Sequence, residues 1–316
     1  MSPRDRSLAV IVAVLWGLNF AAVRLGLEDF PPVFFAAMRY LVLAIPVLLF
    51  VPRPQVAWRW LIVYGLGFGV VQFGLLFLAI DQGMPSGLAS VIVQASAPMT
   101  VLLAVPLLGE RPGARQLGGI AVACAGILAI SLDRGDAGIG TLVLTLFAAL
   151  GWAVGNLAVR KAASPQPLRL AVWMSVVPPL PLLALSAITE GPTAGWRAVG
   201  HAATSADGWG SLLALVYVTI GGSVVGAALW SSLLARHPVA LVAPYSLLVP
   251  VVAILGGLAF FGEQPTVVEL AGSAVVVAGI LISMRKPAAA VRPTAAAPVA
   301  ATAVEGGELA RPQRRD

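Results

Sequence analysis

Trp16 and Asn19 lie three residues apart, and Trp152 and Asn156 lie four apart. On a helix either spacing puts both side chains on one face. An indole offers a broad apolar surface, and a carboxamide offers two donors and an acceptor. Gln72 and Gln94 add two more carboxamides, a donor and acceptor set suited to the carboxylate and ammonium of a zwitterion. Arg39 is the one charge well inside an apolar run, and a guanidinium holds a carboxylate through two parallel hydrogen bonds. Tyr217 and Tyr245 are secondary candidates for the same surface, and Pro98 and Pro250 each remove a helical hydrogen bond where a gate would hinge. This is the chemistry of holding a small polar molecule. Nothing beside it makes or breaks bonds: His201 and His237 lie in connections, no metal-ligand spacing occurs, and no phosphate-cradling Gly-rich loop carries a Lys. No catalytic residue, metal or cofactor is expected.

Each of these groups has a plainer use. A buried Asn or Gln can simply bond one helix to the next. Arg39 falls about one and a half turns from the end of its run, which favours snorkelling to the interface, or pairing with a structural carbonyl or an outer acid such as Glu28 or Asp29, over anchoring a carboxylate. Glu110 and Glu263 each follow a Gly at a helix end, where a carboxylate accepts backbone N–H bonds. No acid lies near the centre of any apolar run, so coupling to protons through a central carboxylate is disfavoured. Glu269, near the start of the last run, is the one acid left for it.

The elements that position these groups follow from composition. Hydrophobic residues make up 59% of 316 and charged residues 11%, with a mean hydropathy of +0.92. So few charges cannot cover the surface of a water-soluble domain of this size, so lipid is the expected solvent. The basic residues sit between apolar runs and in the tail without an aromatic-interleaved face, which excludes nucleic acid as a partner. Cys124 lies alone inside an apolar run, so no intrachain disulfide can form. Ten runs approach the length needed to cross about 30 Å of hydrocarbon: 8–27, 33–51, 60–80, 86–108, 116–132, 139–160, 169–189, 209–234, 239–261 and 266–284. The first is too long for a signal-peptide core and lacks a cleavage site. Residues 285–316, rich in Ala, Pro and Arg, read as a disordered cytoplasmic tail.

Charge orients the runs. With the N-terminus in the cytoplasm, 16 of the 20 Lys and Arg residues fall inside, which predicts both termini cytoplasmic and ten spans. The chain also repeats itself: residues 109–128 and 262–281, offset by 153, are identical at 11 of 20 positions. Chance would give about two, so the match is an internal repeat. Five spans per half is an odd number, so the halves must be inverted in the membrane. The first copy of Gly-Glu-x-Pro carries Arg111 and Arg115, and the second has Gln264 and Val268 there, as one motif on opposite faces requires. The expected organisation is an all-α membrane protein of two inverted five-helix repeats, 1–134 and 135–286, followed by the tail from 287. Such a chain is expected to carry a small polar solute, with its binding site between the halves.

Several motifs resemble the EamA type of the drug/metabolite transporter superfamily. They are Trp16-Gly17-Leu18-Asn19-Phe20, Pro31-Pro32 with Met38-Arg39-Tyr40, Gly87-Leu88-Ala89-Ser90 with Pro98 and Gly109-Glu110-Arg111, and Ala243-Pro244 with Leu248-Val249-Pro250 and Gly262-Glu263. Gln72, Gly83-Met84-Pro85, Val93-Gln94-Ala95 and Ser246-Leu247-Leu248-Val249-Pro250 are most similar to its exporters of amino-acid metabolites of the cysteine and O-acetylserine type. The resemblance, over residues 7–284, implies a secondary transporter in a bacterial inner membrane. It implies export of small amino-acid-like metabolites by alternating access, a central cavity lined by both halves, and the bilayer and a small polar metabolite as partners. A homodimer is the assembly entertained. The rival readings are the same fold carrying a drug-like amine or a nucleobase, and a membrane scaffold that transports nothing.

Overall fold

The computed structural model describes residues 1–206, 208–237 and 239–284. Asp207 and the tail expected after residue 284 lie outside these. Among the described residues every regular element is a helix. Eight are long and apolar enough to cross a membrane: α1 (Pro3–Gly26), α2 (Pro32–Phe50), α3 (Trp58–Asp81), α4 (Ser86–Leu108), α5 (Ala114–Asp133), α6 (Gly138–Ala162), α7 (Pro167–Thr189) and, after the connecting helix α8 (Ala194–Thr204), α9 (Trp209–Leu234). Two shorter apolar helices, α10 (Tyr245–Phe261) and α11 (Val267–Ser283), complete the bundle. The ninth expected run is broken at its start into a helical turn, Val239–Val242, and a 3₁₀ stretch, Ala243–Leu247. Phe50, Leu180, Ile188 and Val267 are almost fully exposed. In water such side chains would drive aggregation, whereas in lipid they are the solvated surface of a multi-pass membrane protein.

The helices approach each other through small residues. A Cβ on Gly151 would lie 2.6 Å from the Gly67 carbonyl oxygen, so α3 and α6 cross with backbones in contact. A Cβ on Gly126 would meet the Gly272 carbonyl at 2.7 Å, and one on Gly119 the Gly279 carbonyl at 2.6 Å. Helices α5 and α11 therefore pack antiparallel. Under the 153-residue shift Gly119 corresponds to Gly272 and Gly126 to Gly279, so each contact maps onto the other.

Departures from regular helix recur in the same way. Gly65–Gln72 in α3 and Tyr217–Gly226 in α9 are π-helical. Val93–Ala95 in α4 and Ala243–Leu247, which runs into the first residues of α10, are 3₁₀. Pro98 and Pro250, both buried, stand just beyond these 3₁₀ stretches. Proline has no N–H for the carbonyl four residues back, which here belongs to Gln94 and Ser246, and the backbone tightens instead. Helices α4 and α10 both end on a left-handed glycine, Gly109 (φ 69°) and Gly262 (φ 62°). Only glycine takes that conformation without strain, and it turns the chain so that the following Glu faces back over the helix.

Candidate functional site

Arg39 stands two turns into α2 and is only 6% exposed. Its Nε and Nη2 donate to the Ser223 hydroxyl of α9 at 3.1 and 2.9 Å. That hydroxyl donates to the Val218 carbonyl at 3.0 Å, a bond between residues five apart that fits the π-helical turn. The guanidinium carbon lies 3.9 Å from the centre of the Phe73 ring and 5.6 Å from that of Tyr40. Nη1 has no partner. No carboxylate among the described residues pairs with this charge. The expected pairing with the acids at the helix end is not found. Asp29 accepts instead from the Ser211 hydroxyl at 2.6 Å and lies 3.8 Å from His201. Snorkelling is not found either, because the guanidinium is covered by α3 and α9. Burying a charge without a counter-charge costs several kcal/mol. A desolvated cation–π contact returns about 2 kcal/mol, and a hydrogen bond from a charged group about 1.5–3 kcal/mol.

Unpartnered polar atoms gather on the helices around Arg39. Six buried side-chain atoms lack a hydrogen-bond partner among the described residues. Five of them, Asn19 Oδ1, Arg39 Nη1, Tyr40 OH, Gln72 Oε1 and Thr219 Oγ1, sit on α1, α2, α3 and α9. Native interiors leave few such groups, so five on four helices call for an explanation. Asn19 packs against Gly222, next to Ser223, where a Cβ would lie 2.5 Å from its Oδ1. Trp16 Nε1 donates to the Gly222 carbonyl at 3.0 Å, and the Tyr217 hydroxyl donates to the Leu15 carbonyl at 3.0 Å. These bonds fasten α1 to the π-helical turns of α9. Widened turns of this kind often mark functional sites.

The second Trp-Asn pair lies along an aromatic chain from Arg39. Phe73, under the guanidinium, meets Phe68 edge-on at 5.5 Å, and Phe68 meets Trp152 edge-on at 5.7 Å. Trp152 packs with Val93, Ala95 and Ala149, and Gln94 lies between the first two, half-buried. Asn156 Nδ2 donates to Thr100 Oγ1 of α4 at 3.2 Å, so this amide bonds two helices as the plainer reading expected. Tyr245 does not join either group. It packs with Ala9, Leu233 and Val242 near the start of α1.

The two Gly-Glu-x-Pro turns are used differently. Glu263 accepts from the N–H groups of Ser86 and Gly87, the first turn of α4, at 2.8 and 3.3 Å. Glu110 is paired with Arg160 of α6. A cavity of about 80 Å³ beside Glu110 is lined by Arg160, Gln116 and Thr100, so it reaches the partner of Asn156. Glu269, a candidate for coupling, closes a capping box with Thr266: its carboxylate accepts from the Thr266 N–H, and the Thr266 hydroxyl accepts from its N–H, both at 3.0 Å. Another carboxylate on a helix start, Glu190, escaped the sequence reading; it accepts from Val33 and Phe34 N–H at 2.7 and 3.0 Å. The sequence reading also passed over Ser223, Thr219, Phe73 and Phe68. Local spacing carried no signal for them, because their roles arise from contacts between distant helices.

Comparison with known proteins gives a consistent picture. The profile of the EamA-like transporter family matches residues 7–132 and again 139–285. A probable amino-acid metabolite efflux pump of Salmonella typhimurium is 38% identical over 291 residues, covering 90% of this chain and 96% of that one. Its namesake in Escherichia coli is 36% identical over the same shares. A probable terminal-alkyne amino-acid exporter of Streptantibioticus cattleyicolor is 28% identical, covering 88% of this chain and 92% of that one. One solved crystal structure has the same fold, with a TM-score of 0.56 at 19% identity over 90% of this chain and 97% of that one.

Proposed function

The chain belongs to the EamA-like transporter family, whose named relatives are efflux pumps and exporters and not enzymes, and from that premise we propose that it exports small amino-acid-like metabolites of the cysteine and O-acetylserine type by alternating access. The observation that carries this reading is that Arg39, Asn19, Gln72 and Thr219, on four helices of one bundle, each carry a buried polar atom without a partner. A scaffold would have no use for groups left without partners; a carrier completes them with its solute. Gln94 and Trp152 line the same path further from Arg39, with Trp16 and Asn156 as fixed walls.

The proposed frame is ten spans in two inverted repeats, 1–134 and 135–286. The paired α5–α11 glycine contacts and the recurrence of π-helical and 3₁₀ stretches support it. The end that carries Arg53, Arg59, Arg111 and Arg160 is assigned to the cytoplasm of a bacterial inner membrane, with both termini on that side. Pro98 and Pro250 are the assigned hinges of the two gates. The two Glu turns are assigned as alternating latches, Glu263 engaged and Glu110 released in the present conformation.

The test is uptake of a labelled amino-acid panel into proteoliposomes of the purified chain, with and without an imposed pH gradient. Flux of small amino acids is expected. Absence of flux for every compound under both conditions would sink the reading. Asn19→Ala and Gln94→Ala are expected to raise the apparent KM with expression unchanged; normal transport by both would make these residues helix glue.

A further inference from the structure

The Arg39 guanidinium is held from two sides and unpartnered on a third. Nε and Nη2 are spent on Ser223, the flat face lies on Phe73, and Nη1 is buried with nothing to donate to. The described residues offer no acid in reach: Asp29, ten residues before Arg39, is committed to Ser211, and Glu190, which reaches the start of α2 from far along the chain, is committed to Val33 and Phe34. A fixed cation without a protein counter-charge is a site for an anion. Of small anionic groups, a carboxylate matches the planar guanidinium best. The ring beneath keeps water off one face and leaves the edge free. Phosphate fits this setting less well, because a dianion would call for further cations, and Arg39 is the only buried cationic side chain among the described residues.

We propose that Arg39, fixed by Ser223 and Phe73, is the carboxylate subsite of this carrier, so that a free carboxyl group is required for transport. The inference rests on the exporter reading and goes beyond it in naming the recognised group and the residue that recognises it. The Asn19 and Gln72 carbonyl oxygens, both buried and without donors, supply acceptors of the kind an ammonium needs. That makes the zwitterion, and not a simple carboxylic acid, the expected solute.

The experiment is proteoliposome counterflow of labelled L-serine and L-cysteine, each competed by the free amino acid, its carboxamide and its decarboxylated amine. In the wild-type chain the free acid is expected to compete about 10- to 100-fold better than the carboxamide or the amine. Arg39→Gln is expected to abolish that preference, and Arg39→Lys to keep part of it. Ser223→Ala leaves the charge in place and loosens its orientation, so it is expected to raise KM with the order of competitors unchanged. Wild-type counterflow that ignores the carboxyl group overturns the inference without any variant needing to fold. So does an Arg39→Gln carrier that runs slowly with the acid-to-amide ratio intact, since that is the behaviour of a structural arginine. Flux of no panel member overturns the exporter reading, and the inference falls with it. Flux blind to the carboxyl group overturns the inference alone.

Discussion

The two Gly-Glu-x-Pro turns have the same local fold and opposite engagements. Both begin with a left-handed glycine, and in both the Glu N–H bonds back to the carbonyl six residues earlier, from Glu110 to Ala104 and from Glu263 to Gly257. The helices that follow even start alike: Gln116 accepts from the Gly113 N–H, and Glu269 from the Thr266 N–H. Yet Glu263 sits on the N-terminus of α4, while Glu110 lies on Arg160 with both side chains about half exposed. Under the 153-residue shift, the counterpart of Ser86 is Val239, the start of a helical turn. The difference is therefore not in the motif. It lies in what the motif touches, which is how one element behaves when a bundle holds one end tight and the other loose. Within the proposed cycle, the engagements exchange when the carrier turns over.

The largest effect is expected at Glu263. Its carboxylate satisfies two backbone donors at a helix N-terminus, where charge-assisted bonds are strong and the helix dipole favours an anion. Glu263→Ala should cost about 2 kcal/mol. Melting of the purified protein in detergent should then fall by roughly 4–8 °C. Glu110→Ala should lower it by far less. Equal losses at the two sites would erase the comparison.

A subtler effect is expected on access. Leu88, just inside the α4 start that Glu263 holds, borders a cavity of about 100 Å³ beside Glu263 but is itself only 4% exposed. Thr100 lines the cavity beside Glu110. In a Cys124→Ser background, which removes the one native thiol, Thr100→Cys should react with a water-soluble maleimide and Leu88→Cys should resist it. Adding Glu263→Gln should expose Leu88→Cys several-fold, because the first turn of α4 loses its anchor. Continued resistance in the Glu263→Gln protein would show that the Glu263 contact fixes a helix end without gating anything.

Much of this was open to a sequence reading, for identifiable reasons. Lipid as solvent forces long apolar runs, so the all-helical, multi-pass character is written in the hydropathy pattern; eight of the ten expected runs are long and apolar enough to cross a membrane, and the last two are shorter helices. The repeat and its left-handed glycines follow from identities spaced by 153. What escaped depends on how helices distant in sequence meet. The position of Arg39 near a helix end pointed to snorkelling, but α3 and α9 cover that face and bring Phe73 and Ser223 onto the guanidinium. No local spacing could place Ser223, 184 residues away, beside it. At Glu269 the missed signal was local: the Thr-x-x-Glu signature of a capping box was present at 266–269 and was passed over in favour of its charge.

The smallest effect is at the Glu110–Arg160 pair, and it is the sharpest test of the comparison. Side chains 48% and 47% exposed hold this ion pair in a screened setting, where such pairs contribute about 0.2–1 kcal/mol. A double-mutant cycle of Glu110→Gln and Arg160→Gln, read by melting, should give a coupling in that range that shrinks as salt is raised. If Glu110 serves as a latch only in the opposite conformation, Glu110→Gln should also slow turnover in proteoliposomes out of proportion to its small effect on melting. The matching Arg160→Gln protein frees the carboxylate and should not slow it. A coupling well above 1 kcal/mol, or turnover untouched by Glu110→Gln, would mean that Glu110 has its final partner already, and that the two turns are different devices and not one device in two states.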